Sequence, residues 1–166
     1  MSPKKVEILL PPDIVPCTGP IVFIAGPIQG AKDWQGEAIS VFQFQASKSI
    51  TVASPRRAYL PGEFIYELQV DWETHYLREA AKNGVILFWL EKEAEHTCDR
   101  AFAQTSRFEI GEWKAKYEIH KIRLVVGMEE GFTNASYIRR RLSQDCSGIT
   151  IHSTLIETCQ DALRQL

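Results

Sequence analysis

The sequence predicts an α/β protein built on a doubly wound parallel sheet. Short apolar runs alternate along the chain with longer stretches in which apolar residues recur at helical spacing. The runs are apolar at consecutive positions, as in 21–25 (Ile-Val-Phe-Ile-Ala) and 85–90 (Val-Ile-Leu-Phe-Trp-Leu). Each strand is then buried on both faces, the mark of a parallel sheet covered by helices on both sides. About five such runs, joined by right-handed crossovers, favour the flavodoxin-like order 2-1-3-4-5.

The elements follow in order. Pro3, Pro11, Pro12, Pro16 and Pro20 make residues 1–20 an extended arm, with one short strand near Val6 to Leu10. A single domain over 21–166 follows. The run 21–25 is the first strand of the expected five, closed by Gly26 and Pro27. Ala38, Val41, Phe42 and Phe44 place a helix over 34–48, and 50–53 is the second strand, stopped by Pro55. Phe64, Leu68, Trp72, Tyr76 and Ala80 mark a long helix over 63–82. The third strand, 85–90, is the most apolar segment, and a helix over 105–119 comes next. Strands at 123–127 and 149–151, a short helix over 137–143 and a closing helix over 155–166 complete the pattern.

Composition narrows the function class. The chain has 166 residues and is 45% hydrophobic and 24% charged, enough for one real core. A net charge of -2 draws it neither to a nucleic-acid polymer nor to an anionic membrane. No apolar run is long enough for a bilayer span or a signal sequence. Cys17, Cys98, Cys146 and Cys159 show no C-x-x-C spacing and read as reduced thiols of a cytoplasmic protein. His75, His96, His120 and His152 lack ligand spacing, so no metal is expected.

In doubly wound sheets ligands sit beyond the carboxyl ends of the strands. Three loops converge there: Gly26, Pro27, Ile28, Gln29 and Gly30 after the first strand, Ser54 to Arg57 after the second, and 91–104 after the third. The first loop is neither G-x-G-x-x-G nor a P-loop, which argues against NAD, FAD or ATP, and no cofactor is expected. Its glycines let a ligand approach the backbone, or simply make a strand-to-helix turn. Glu109 follows the third loop on a helix. Ser106 to Glu109 also spells the S-x-x-E capping box, in which Glu109 would only bond the backbone of Ser106. Its place beside a central strand argues instead for a carboxylate facing the ligand, kept ionised by the helix N-terminus and able to act as a nucleophile. Glu112 pairs with Lys116. Asp71 and Glu73 point to different faces of the long helix, so at most one reaches the site. Two carboxyl groups at one crevice are the pair that glycosyl chemistry needs. Ser106 lacks the G-x-S-x-G elbow and Cys98 an activating partner, which disfavours hydrolase triads. Trp34 and Trp72 are either core or stacking platforms. Arg56 and Arg57 are either solvated or suited to a 5'-phosphate.

Six blocks taken in order resemble a family: I-V-F-I-A-G-P-I-Q-G-A-K-D-W-Q from Ile21, A-S-P-R-R from Ala53, Q-V-D-W-E-T-H-Y-L from Gln69, V-I-L-F-W-L from Val85, R-F-E-I-G-E-W from Arg107 and V-V-G-M-E-E-G-F from Val125. They look like the nucleoside 2-deoxyribosyltransferase-like proteins over roughly residues 20 to 140. The resemblance implies a flavodoxin-like fold, a homo-oligomer and cleavage of the N-glycosidic bond of 2'-deoxynucleosides or their 5'-monophosphates. It makes Glu109 the nucleophile at the anomeric carbon, Glu73 the acid that helps hold sugar or base, and the Gly26 to Gly30 loop the substrate's neighbour. The chain departs from the family in carrying Thr105 and Ser106 in place of a G-T pair. Ala103 stands where a base-contacting aspartate is implied, with Asp99 out of register to replace it, and Gly84 replaces an acid before the third strand.

The implied reaction is retaining: Glu109 attacks C1', Glu73 assists the departing base, and a second base or water then takes the sugar. The rival of another class is a nucleotide-sensing module on the same fold that binds without turnover. A ribonucleotide phosphoribohydrolase would need a P-G-G-x-G-T-x-x-E run that is absent here.

Overall fold

The computed structural model describes residues 5–17, 19–97 and 99–166. Cys98, for which the sequence offers no activating partner, lies outside the described residues. The element order is β1 (Val6–Leu9), β2 (Ile21–Ala25), α1 (Trp34–Gln45), β3 (Ile50–Ala53), α2 (Tyr66–Asn83), β4 (Gly84–Leu90), α3 (Gln104–His120), β5 (Leu124–Met128), α4 (Ala135–Asp145), β6 (Ile151–His152) and α5 (Leu155–Gln165). All neighbouring strands pair in parallel, in the order β1-β3-β2-β4-β5-β6.

The five strands from β2 onward follow the expected flavodoxin-like order. The sheet has six strands rather than five because β1 pairs with β3 from Val6↔Ile50 to Leu9↔Ala53. The remainder of the arm crosses α2. The Trp72 indole donates to Asp13 O at 3.2 Å, and the Tyr76 hydroxyl both donates to Val15 O and accepts from Val15 N at 3.0 Å. α2 begins at Tyr66 rather than near 63, because Glu63 N closes a turn onto Leu60 O and the Glu63 carboxylate accepts from Leu60 N. α1 stops at Gln45, earlier than the periodicity suggested, and β6 shrinks to two residues.

Every residue of β2, β3, β4 and β5 is buried. Side chains alternate between two cores, one for each sheet face. Ile21, Phe23, Ile86 and Phe88 pack with Trp72, Tyr76 and Trp113 of α2 and α3. Val22, Ile24, Leu87 and Trp89 pack with Trp34 and Phe42 of α1 and Cys159 of α5. Among the described residues no helix is long and apolar enough to cross a membrane.

Gly127 sets how closely α5 can lie against β5. A Cβ there would fall 2.1 Å from Thr158 Oγ1 and 2.6 Å from the Trp89 ring. Both neighbours are buried, and overpacking of this kind costs about 2 kcal/mol. Gly127→Ala is expected to lower the urea midpoint of unfolding without changing the slope. An unchanged midpoint would show that α5 can shift freely.

Candidate active site

A cavity of about 480 Å³ opens at the carboxyl edge of the sheet, and the three converging loops all reach it. Its wall is made by Gly26, Pro27, Ile28, Gln29 and Gly30 after β2, by Pro55, Arg57 and Tyr59 after β3, and by side chains between residues 93 and 106. α2 contributes Gln69, Val70 and Glu73, and α3 contributes Ser106 and Glu109.

The loops are held before any ligand arrives. Gly30 O accepts from Ala94 N at 2.7 Å and Glu95 N at 3.1 Å, and Arg100 donates to the Gln29 side chain. The loop after β4 starts at Glu91, which accepts from Trp89 Nε1 at 2.5 Å, and Lys92 N donates to Glu129 at 3.1 Å. Arg107 fixes the start of α3, donating to Thr133 O at 2.5 Å and lying 4.6 Å over the Phe132 ring.

Gly26 and Gly30 are demanded by packing. A Cβ at Gly26 would meet Trp89 O at 2.1 Å and the Trp34 ring at 2.7 Å. Gly30 has φ +75°, and a Cβ would stand 2.8 Å from Glu95 O. Of the two readings of these glycines, the strand-to-helix turn is the one the contacts require, although the loop they shape lines the cavity.

Three expected ligand contacts are corrected. Trp34 is 1% exposed, belongs to the core on the α1 side and donates through Nε1 to Pro27 O at 2.8 Å, so it supports the loop from behind. Trp72 is likewise core. Arg56 is absent from the cavity wall. Its guanidinium donates to Gln35 Oε1 at 2.8 Å, Ile28 O at 3.0 Å and Lys32 O at 2.9 Å and pairs with Asp33 at 3.4 Å. The loop carbonyls engage Nη2 and Gln35 engages Nε, which turns the guanidinium toward the loop and not the cavity. Arg57 does line the cavity. It donates to Pro11 O at 2.9 Å, lies 3.8 Å from the Glu63 carboxylate and sits 5.0 Å over the Tyr59 ring.

The capping-box reading of Glu109 fails on register. The residue before α3 is Ala103, in the left-handed region at φ 57°, and no side chain caps the helix. Ser106 is already helical and 4% exposed. Glu109 therefore lies in the second turn, where the field of the helix terminus has faded. The expectation of a stabilised anion is overturned as well. Burial, then the charge of Glu73, then that of Glu112, pushes the Glu109 carboxyl up to about 8. Two carboxyl groups on one cavity wall, with burial acting on both, cannot both ionise cheaply. Burial also raises Glu73, but a hydrogen bond from Gln69 counteracts it. At neutral pH Glu109 is therefore mostly protonated.

Asp71 is exposed, so Glu73 is the acid of α2 that reaches the cavity. Glu112 bonds Lys116 on the outer surface. Asp99 is exposed and off the wall, while Ala103 lines it. Two wall residues carry a role that the sequence did not suggest. Tyr59 Oη donates to Gln69 Oε1 at 2.6 Å, and Gln69 Nε2 donates to Glu73 Oε1 at 2.7 Å. The only available signal was the i, i+4 spacing of Gln69 and Glu73. Among the described residues no three His, Cys, Asp or Glu side chains gather where they could hold a metal ion. The chain matches no protein-family model, and no curated protein matches its sequence.

Glu109 makes stability depend on pH. Its folded value of about 8 lies above the ordinary 4.5. Between those values the folded state binds more protons than the unfolded state, so stability falls as pH rises through that window. Glu109→Gln removes the effect. The variant is expected to match the parent in denaturant unfolding near about pH 4 and to exceed it near about pH 8. Parallel curves for the two proteins across this range would mean that Glu109 ionises normally.

Proposed function

We propose that the chain cleaves or transfers the N-glycosidic bond of 2'-deoxynucleosides or their 5'-monophosphates, as the nucleoside 2-deoxyribosyltransferase-like proteins it resembles do. The observation that carries this reading is the meeting of Glu109 and Glu73, from two different helices, in one cavity at the carboxyl edge of the sheet. Glycosyl chemistry of the retaining kind uses such a pair, one group at the anomeric carbon and one at the leaving group.

The pair begins the cycle with one proton. Transfer of that proton from Glu109 to Glu73 leaves Glu109 ionised. Its carboxylate attacks C1', a C1'–O bond forms, and the bond from C1' to the base nitrogen breaks. The base departs with that electron pair and takes the proton from Glu73, directly or through a bound water. An incoming base then attacks C1', displaces Glu109 and returns a proton to Glu73; water in its place gives hydrolysis. Two inversions retain the configuration. Gln104, Thr105 and Ser106 are among the neutral polar side chains on the wall that suit a base edge. Homo-oligomerisation and a cytoplasmic setting belong to the same reading.

A second reading has one observation in its favour. A protonated Glu109 is a hydrogen-bond donor, which also suits a module that binds nucleotides without turnover.

The test is to incubate the protein with each deoxynucleoside and 5'-monophosphate, with and without a free acceptor base, and to follow base release. Turnover is expected, with kcat/KM bell-shaped in pH and falling above about 8, where the second carboxyl ionises. Glu109→Ala is expected to lose about a thousandfold or more in kcat. If no base is released from any compound and Glu109→Gln binds them as the parent does, the binding module is the correct reading.

A further inference from the structure

The carboxamide of Gln69 has one acceptor end and one donor end, and its surroundings decide which way it points. Gln69 Nε2 lies 3.1 Å from Pro55 O and 2.7 Å from Glu73 Oε1. Gln69 Oε1 lies 2.6 Å from the Tyr59 hydroxyl. A backbone carbonyl can only accept. Were the amide turned over, its oxygen would face two acceptors, and its nitrogen would be left to Tyr59. Pro55 O therefore fixes the nitrogen end, and both N–H groups of Gln69 are engaged. One of them is donated to Glu73 Oε1, so that oxygen is the accepting one and a proton taken up by Glu73 goes to Oε2.

From this geometry we propose that Gln69, with its orientation fixed by Pro55 O and Tyr59, is a positioning residue that holds Glu73 as the proton-accepting member of the carboxyl pair. The inference rests on the glycosidic reading above for its catalytic meaning, though not for its geometry. Gln69 stands one helical turn before Glu73 on α2, so the two side chains share a face. Tyr59 is itself held, edge-on against Phe64 at 5.3 Å and beneath the Arg57 guanidinium at 5.0 Å. The charged groups around Glu73 are Glu109 from α3 and, beyond Tyr59, Arg57 and Glu63 from the loop before α2. Only Arg57 among these favours an anion, and it is already paired with Glu63. The bond from Gln69 is thus the direct contact that makes Glu73 the better anion of the two. Without it both carboxyls of the pair would keep their protons up to a higher pH, and the singly protonated state would occupy a narrower range.

Gln69→Leu and Tyr59→Phe test the proposal. Carboxyl carbon resonances of Glu73 and Glu109, assigned by Glu73→Gln and Glu109→Gln, report ionisation whether or not any reaction occurs. In Gln69→Leu the Glu73 midpoint is expected to rise. In Tyr59→Phe, where Pro55 O still orients the amide, the change is expected to be smaller in the same direction. In base release, the acid limb of the pH profile moves upward in Gln69→Leu, with a loss of about tenfold on the acid side and less on the alkaline side. Tyr59→Phe loses about threefold on the acid side. A Glu73 midpoint unchanged in Gln69→Leu overturns the proposal. So does a uniform fall in rate at every pH, the mark of a merely structural role. If the parent protein releases no base, the glycosidic reading fails, while the resonance titration still decides whether Gln69 governs Glu73. Should Gln69→Leu not fold, Tyr59→Phe and Gln69→Glu carry the same measurement, and an unmoved Glu73 midpoint in both overturns the proposal.

Discussion

A parallel sheet cannot be closed by tight hairpins, and every other feature of this protein follows from that constraint. Each pair of parallel strands needs a crossover long enough to return to the starting edge. Four of the crossovers contain helices, which together with the closing α5 cover both faces and bury β2 to β5 completely. All strands then point the same way, so all loops that follow a strand gather at one edge. The central position of β2, between β3 and β4, makes the loops after those three strands neighbours. The cavity stands at that junction because the sheet's order reverses direction there.

Inside the cavity a second constraint takes over. Glu109 gains a partly buried place on α3 at the expense of its ordinary acidity, and the same burial acts on Glu73. The charge of Glu73 adds to that burial, so ionising one group makes ionising the other harder. Placing them on separate helices lets the sheet set their approach, while local contacts such as Gln69 set their difference. A single carboxyl in the same cavity would lack that division of labour.

Much of this was legible in the sequence, and the parts that were not share a cause. The strands at 21–25 and 85–90 and the order of the inner five follow from runs that are apolar at consecutive positions, a signal that tertiary packing reinforces. Glu109 was legible from the sheet edge at which its helix starts, whereas helical spacing left Asp71 and Glu73 both open and only the family resemblance singled out Glu73. The fate of Arg56 was not, because its partners are backbone carbonyls, which every sequence supplies equally. Trp34 illustrates the same limit. Its position on the helix is readable, but whether the ring faces the ligand or the core depends on the turn made by residues 26–30. The capping box at Ser106 misled because a left-handed Ala103 starts α3 earlier than any side-chain cap would. The role of Gln69 needed the location of Pro55 O, a neighbour in space and not in the chain.

Arg56 also bears on how this loop can change over time. A planar guanidinium with five donors reaches Gln35 and several carbonyls between residues 28 and 32 at once. The instructions for the shape of the first loop are thus stored partly at the end of a different strand. Side chains at Ile28 or Lys32 can vary while the loop's path persists, since only their carbonyls are gripped. An insertion or deletion there would displace those carbonyls from a rigid fork, so positions 28 and 32 are tolerant in letter while the segment that joins them, Gly30 included, is fixed in length.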